Sequence, residues 1–231
     1  MTKKEPISEV IKGRIQEDEG KFFANSNISK YIHDDELILL VDEVTTKFED
    51  VLQSLIIDTH NDPNSKGTAK RLAKMYVNEL MSGRYNPVPE TTSFPNTEDN
   101  TFDGMLVVRA ELKSVCSHHH QTVSGVAYIG ILAADQLPGL SKYSRIAQWC
   151  ARRGTLQEEL CNDIASEIQK ATKSNDVAVY LRMTHGCCEN RGIMAHDSST
   201  TTTVLKGAFK SDPSTKKEFF DTLSLQISHK Q

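Results

Sequence analysis

Apolar positions in the first half of the chain recur at helical spacing. Leu40, Val44, Phe48, Val51, Leu52 and Leu55 line one face between Leu37 and Ile57, predicting an amphipathic helix there. Residues 1–35, ahead of it, are polar and charged with little periodicity, which predicts a frayed or extended arm. Asp62-Pro63-Asn64-Ser65-Lys66-Gly67 reads as a turn, and Ala69–Leu80 as a second helix that stops near Gly83. Pro87, Pro89 and Pro95 mark a loop, since proline lacks the backbone donor that helices and sheets need.

From Met105 the pattern changes. Met105–Leu112 and Val123–Leu132 are rich in β-branched residues and predict strands. Two helices follow, Ser141 to about Arg153 and Leu156 to about Lys173. A third strand is expected at Val177–Met183, running into His185, a fourth at Thr200–Leu205, and a last helix at Lys216–Leu225. The order strand, strand, helix, helix, strand, strand implies an α+β fold: an antiparallel four-stranded sheet with helices on one face, preceded by an N-terminal helical extension. The expected division is residues 1–100 for the arm and extension and 101–231 for the sheet domain.

Composition narrows the possible partners. With 231 residues, 38% hydrophobic and 25% charged, the chain reads as a soluble globular protein. A net charge of −4 gives no global attraction to nucleic acid or membrane, so any anion must be held locally. No apolar run approaches the roughly 18 residues a membrane span needs. The start, Met1-Thr2-Lys3-Lys4-Glu5-Pro6, lacks the apolar segment of a secretory signal, so the cytoplasm is the expected location. Five cysteines without regular spacing suit a reducing compartment, with thiols free or bound to metal.

The chemistry concentrates in a few segments. Cys116 and His119 stand three apart in Cys116-Ser117-His118-His119-His120, a spacing that lets one tight loop offer both to a single ion. About seventy residues on, His185-Gly186-Cys187-Cys188 ends a strand with a second thiol beside an imidazole. Cys188 is expected to point away from Cys187, as neighbours do on extended backbone. Thiolate with imidazole is a zinc set, and three protein ligands leave a position open for water. Cys150 and Cys161 fall on helices without histidine neighbours and read as core thiols.

Between the two segments, Gly139-Leu140-Ser141-Lys142-Tyr143-Ser144-Arg145 opens a helix with a cap-competent serine and two cations, a natural setting for phosphate. Arg191 adds a cation just past Cys187. Gln157-Glu158 heads the next helix; by spacing alone this is an ordinary acidic helix start, although a carboxylate also suits the amide and amino edge of guanine. Arg71 reads as a surface charge. Together these segments suggest a zinc hydrolase acting on a purine nucleotide.

These motifs resemble GTP cyclohydrolase I, a zinc enzyme family of the tunnelling-fold superfamily. Ala69-Lys70-Arg71-Leu72-Ala73-Lys74-Met75-Tyr76 resembles its early helix, and Cys116-Ser117-His118-His119 its Cys-Glu-His-His segment. Gly139–Ile146 resembles its Gly-Leu-Ser-Lys-x-x-Arg-Ile, Leu156-Gln157-Glu158 its Val-Gln-Glu, and Thr184–Cys187 with Arg191-Gly192 its second zinc segment. The resemblance spans roughly Thr68 to Leu223 and implies that Cys116, His119 and Cys187 bind zinc. It further implies that Glu158, with Gln157, recognises guanine, and that Lys142, Arg145 and Arg191 hold the triphosphate of GTP, with Arg71 reaching in from a neighbouring subunit. His118 and His185 would manage protons, and Ser141 would contact the ribose or assist the later rearrangement. The implied assembly is a homodecamer with active sites between subunits. Departures are Ser117 in place of glutamate, Glu159 where arginine usually follows, Ala69 for proline, and Cys188-Glu189-Asn190 ahead of Arg191. They keep two alternatives open: a related tunnelling-fold enzyme of 7-deazaguanine biosynthesis, or a catalytically weak purine-binding subunit.

Overall fold

A computed structural model describes residues 5–96 and 101–228. The chain packs as two compact units, Met1–Pro87 and Val88–Gln231, each with its own core.

The first unit is helical. Where an extended arm is expected, Ile7–Glu17 forms helix α1, which begins just after Pro6. Ile11 and Ile15 are buried and pack with Ile28 and Tyr31, so a stripe only one isoleucine wide suffices to dock the helix. Helix α2, Glu36–Ser54, buries Leu40, Val41 and Leu52. Val51 and Leu55, expected on the buried face, are instead exposed. Helix α3, Thr68–Lys74, continues into a π-helical turn at Met75–Leu80, followed by the short α4, Ser82–Tyr85. Ala73 and Val77 meet Leu40 and Val41 in a small core, and Phe48 stacks on Tyr76 with ring centroids 5.4 Å apart.

One ion pair ties α1 to α2. Arg14 donates through both terminal nitrogens to Glu36 at 2.6 and 2.7 Å, and the His33 backbone N–H donates to the same carboxylate at 2.8 Å. The Arg14 guanidinium is the main reason the Glu36 carboxyl is held at about 2. Because that value is depressed below the unfolded one, the stabilisation is present above about pH 4.5 and is lost as pH falls towards 2. In urea unfolding followed by circular dichroism, E36Q should therefore be less stable than the parent at pH 6, and the gap between them should narrow below about pH 4.5 and close only near pH 2.

The second unit has the α+β architecture expected, arranged as in the tunnelling fold. Strands β2 (Met105–Val115), β3 (Thr122–Leu132), β5 (Val177–His185) and β6 (Thr200–Leu205) form an antiparallel sheet in the order β2-β3-β5-β6. The proline-rich stretch is not wholly a loop: Ser93–Pro95 forms β1, paired antiparallel with β4, Gln136–Pro138. Helices α5, Leu140–Ala151, and α6, Gln157–Thr172, cover one face of the sheet. Ile146, Ala147, Cys150, Ile164 and Ile168 meet Leu112, Ala127, Ile129, Val179 and Leu181 there. This layer fixes which sheet ends and helix ends lie together.

At one end of the opposite face, α8 (Ala208–Ser211) and α9 (Pro213–Ser228) bury Phe209, Phe219 and Leu223. The Phe219 ring sits so close to Gly130 that a Cβ there would come within 2.7 Å of it, so glycine is what admits the aromatic ring. Among the described residues no helix is long and apolar enough to cross a membrane.

Candidate active site

Strand register brings the two chemistry-bearing segments together. Val115 pairs with Thr122, and Val123 pairs with His185, so the end of β2, the start of β3 and the end of β5 share one rim of the sheet. Cys116 leaves β2 into a tight turn closed by His120 N–H to Cys116 O at 2.9 Å and Cys116 N–H to Gln121 O at 3.0 Å. After His185 the chain coils into a single helical turn, α7, Gly186–Glu189. Gly186 is needed at this junction: a Cβ would lie 3.0 Å from the Thr122 carbonyl oxygen and 3.1 Å from the Asn190 amide.

Cys187 packs against the core cluster that contains Cys116, and the two thiols are near enough to influence each other's charge. Cys188 does not point away as extended backbone would require; the turn leaves its sulfur 4.0 Å from that of Cys187. Burial first, then the neighbouring Cys188 and Cys116 sulfurs, push the Cys187 thiol above its ordinary value. Thiolates this close repel one another, so they either keep their protons or share a cation. Two sulfurs and an imidazole match zinc in chemistry. His119 is presented by the same turn as Cys116 but is exposed, as is His118, whose ring meets that of His119 edge-on at 6.4 Å. Among the described residues no three His, Cys, Asp or Glu side chains already converge as a metal cluster. The donor types present, thiols with an exposed imidazole on the Cys116 turn, are ones that suit zinc.

Beside the thiols, His185 is half-buried, and its Nε2 lies 2.7 Å from Gln157 Oε1. Burial lowers the affinity of His185 for a proton, while the nearby charge of Glu158 acts in the opposite sense. Gln157 is buried, at 4% exposure, and donates to Thr200 O at 3.0 Å and Thr202 Oγ1 at 3.1 Å. Glu158, the next residue, is exposed. Arg191 is exposed in the loop after α7, which folds back through Ala195 N–H to Cys188 O at 2.9 Å. Cys116, His118, His119, Gln157, Glu158, His185, Cys187 and Arg191 therefore share one end of the second unit.

The remaining cations do not. Ser114 Oγ donates to Ala151 O at 2.7 Å, which places the last residue of α5 beside the end of β2. The helix start therefore points towards the other end of the sheet. Ser141 lies ten residues before Ala151, about 15 Å down the helix axis, with Lys142 and Arg145 on the same first turns. Ser141 caps nothing: the helix begins at Leu140 after Gly139, with no side-chain cap, and Ser141 is exposed. Lys142 Nζ donates to the Glu90 carbonyl at 3.1 Å. Arg71 belongs to the first unit, where its guanidinium folds back on Thr68 Oγ1 at 2.7 Å and on the Asn64 and Lys66 carbonyls.

Cys150 and Cys161 are core thiols, as expected. Burial raises them to about 12 and about 11, and both are buried within the same core layer that Cys116 joins. Sequence reading missed Thr200 and Thr202 as anchors for Gln157. Thr202 binds through its hydroxyl but Thr200 through its backbone carbonyl, so no side-chain pattern signals the pair.

Comparison with known proteins agrees with this geometry. Residues 44–224 match the sequence family described as GTP cyclohydrolase I. A protein named GTP cyclohydrolase 1 from Aeromonas salmonicida (strain A449) is 39% identical over 175 residues, covering 75% of this chain and 79% of that protein. One of the same name from Shewanella sp. (strain W3-18-1) is 38% identical over 180 residues, covering 77% of this chain and 83% of its own length. A third, from Aeromonas hydrophila, is 39% identical over 171 residues. The match runs through both cysteine segments, the helix start at Leu140 and the head of α6, and the chain belongs to the GTP cyclohydrolase I family.

Proposed function

We propose that this protein is a zinc-dependent GTP cyclohydrolase that converts GTP and water to 7,8-dihydroneopterin triphosphate and formate. The observation that carries the reading is the strand register that brings the Cys116 turn, His185 and Cys187 to one sheet end, where His185 bonds to Gln157 beside Glu158. Cys116, Cys187 and His119 would hold the ion, and bound zinc supplies a water acidified towards pH 7.

The chain's own groups do the rest. The exposed carboxylate of Glu158 accepts the paired N–H groups on the guanine edge, an orientation that a purine without an exocyclic amine cannot reproduce. His185 delivers a proton to nitrogen 7 of the purine, which makes carbon 8 open to attack by water. A second hydrolysis frees carbon 8 as formate. His118 carries a further proton while the ribose opens, rearranges and closes into the pterin ring, and Ser141 contacts the sugar. Histidine suits both transfers because its ordinary pKa lies near neutrality. Lys142, Arg145, Arg191 and Arg71 hold the triphosphate through charge-assisted hydrogen bonds.

The placement of Lys142 and Arg145 towards the other end of the sheet supports an active site shared between subunits of a homo-oligomer, which we take to be the family's decamer in the cytoplasm. No nucleic acid or membrane partner enters the reaction. Incubating the zinc-loaded chain with GTP should release formate and leave a pterin that fluoresces after oxidation. Absence of both products overturns the proposal.

A further inference from the structure

We infer that Gln157 is a positioning residue that fixes the tautomer of His185, leaving Nδ1 as the ring atom through which His185 passes its proton to substrate. The inference rests on the proton role proposed above for His185, but its premise is a property of the folded chain alone.

The argument starts from what each atom can do. A backbone carbonyl only accepts hydrogen bonds, so the group of Gln157 lying 3.0 Å from Thr200 O is the amide nitrogen. Its second N–H is taken by Thr202 Oγ1 at 3.1 Å. The carboxamide cannot then be turned over, and its oxygen is the atom facing His185. That oxygen also only accepts, so at 2.7 Å it requires a proton on His185 Nε2. Nε2 bears a proton in both charge states of the ring. The lone pair of the neutral ring, and the proton gained or lost, belong to Nδ1.

Burial makes the constraint firm. Gln157 is 4% exposed, so water has little access to replace any of the three bonds. Its anchors on β6 are 43 and 45 residues away in sequence, which ties the orientation of the ring to the pairing of β5 with β6. The same count argues against Gln157 as the guanine contact. Both its N–H groups are engaged by the protein, and ring recognition falls to exposed Glu158 alone.

The test uses the full-length, zinc-loaded chain labelled with ¹⁵N-histidine, without substrate. Two-bond ¹H–¹⁵N correlation reports which ring nitrogen carries the proton, and H185Q identifies the His185 signals by their disappearance. Expected is Nε2–H in the parent chain. Q157A should show a mixture of both tautomers. In turnover, Q157A should lose about 10–100-fold in kcat, the usual effect of removing a partner that orients a functional imidazole. Its KM for GTP should change by less than about threefold, since no ground-state contact is lost. An Nδ1–H ring in the parent, an unchanged tautomer in Q157A, or a KM effect larger than the kcat effect each overturns the inference. If Q157A does not fold, the parent spectrum still decides it. A parent chain without any GTP turnover sinks the proposed reaction and leaves the tautomer assignment standing or falling on its own spectrum.

Discussion

Replacing Cys187 with alanine is expected to strip the protein of zinc and abolish turnover. The Cys116 and Cys187 thiols are near enough at the sheet rim to influence each other's charge, while His119 is exposed on the turn that carries Cys116. Removing one sulfur leaves a thiol and an exposed imidazole, one protein ligand short of the three that hold a catalytic zinc. Metal content, measured by atomic absorption after gel filtration, should fall from about one ion per chain to about a tenth or less. Turnover should fall about a thousandfold or more, because the acidified water and the charge stabilisation worth several kcal/mol go with the ion. The informative control is C188A. Its sulfur is 4.0 Å from that of Cys187, so an exchange of ligands between neighbours is the real competitor. C188A should keep both metal and activity. If C187A retains zinc and C188A loses it, the ligand assignment is wrong, and the site is built on Cys188; loss in the double variant alone means that either sulfur serves.

How much of this could be read from the chain depends on the range of each interaction. Strand β6 was legible to the residue, Thr200–Leu205, because β-branched side chains occupy it without interruption. Helix α1 was not. Ile7, Ile11 and Ile15 recur every four residues, but the residues between them are mostly polar or charged, and only the tertiary partners Ile28 and Tyr31 make that thin stripe a core. Val51 and Leu55 erred the other way: they continue the apolar spacing of α2 but are exposed in the fold. In the site, the cysteine segments were legible because both hold metal-seeking residues at strand ends, and antiparallel register brings such ends together. The bonding of Gln157 was not, since its partners lie 28, 43 and 45 residues away and no local pattern encodes them. Ser141 looked like a helix cap, yet Gly139 turns the chain into α5 two residues earlier, which leaves the hydroxyl exposed.

Lys142 and Cys187 should therefore complement each other between subunits. The Ser114 to Ala151 hydrogen bond pins the last turn of α5 at the sheet rim that carries Cys116, and the helix rises about 1.5 Å per residue away from it. Lys142 and Arg145 lie nine and six residues before Ala151, so in one chain the phosphate cations and the thiols are held apart by the helix itself. On the proposed function, a second copy brings the missing half. K142A/R145A and C187A should each be nearly inactive alone, the first through loss of triphosphate binding and the second through loss of metal. Unfolded together and refolded as mixed oligomers, they should recover activity. In a random equal mixture, about a quarter of the interfaces pair an intact cation helix with an intact cysteine pair, so activity approaching about a quarter of the parent level is expected. The variants mixed without unfolding serve as the baseline. If each chain carries its own complete site, no pairing of chains restores one, and the mixed oligomers stay at that baseline.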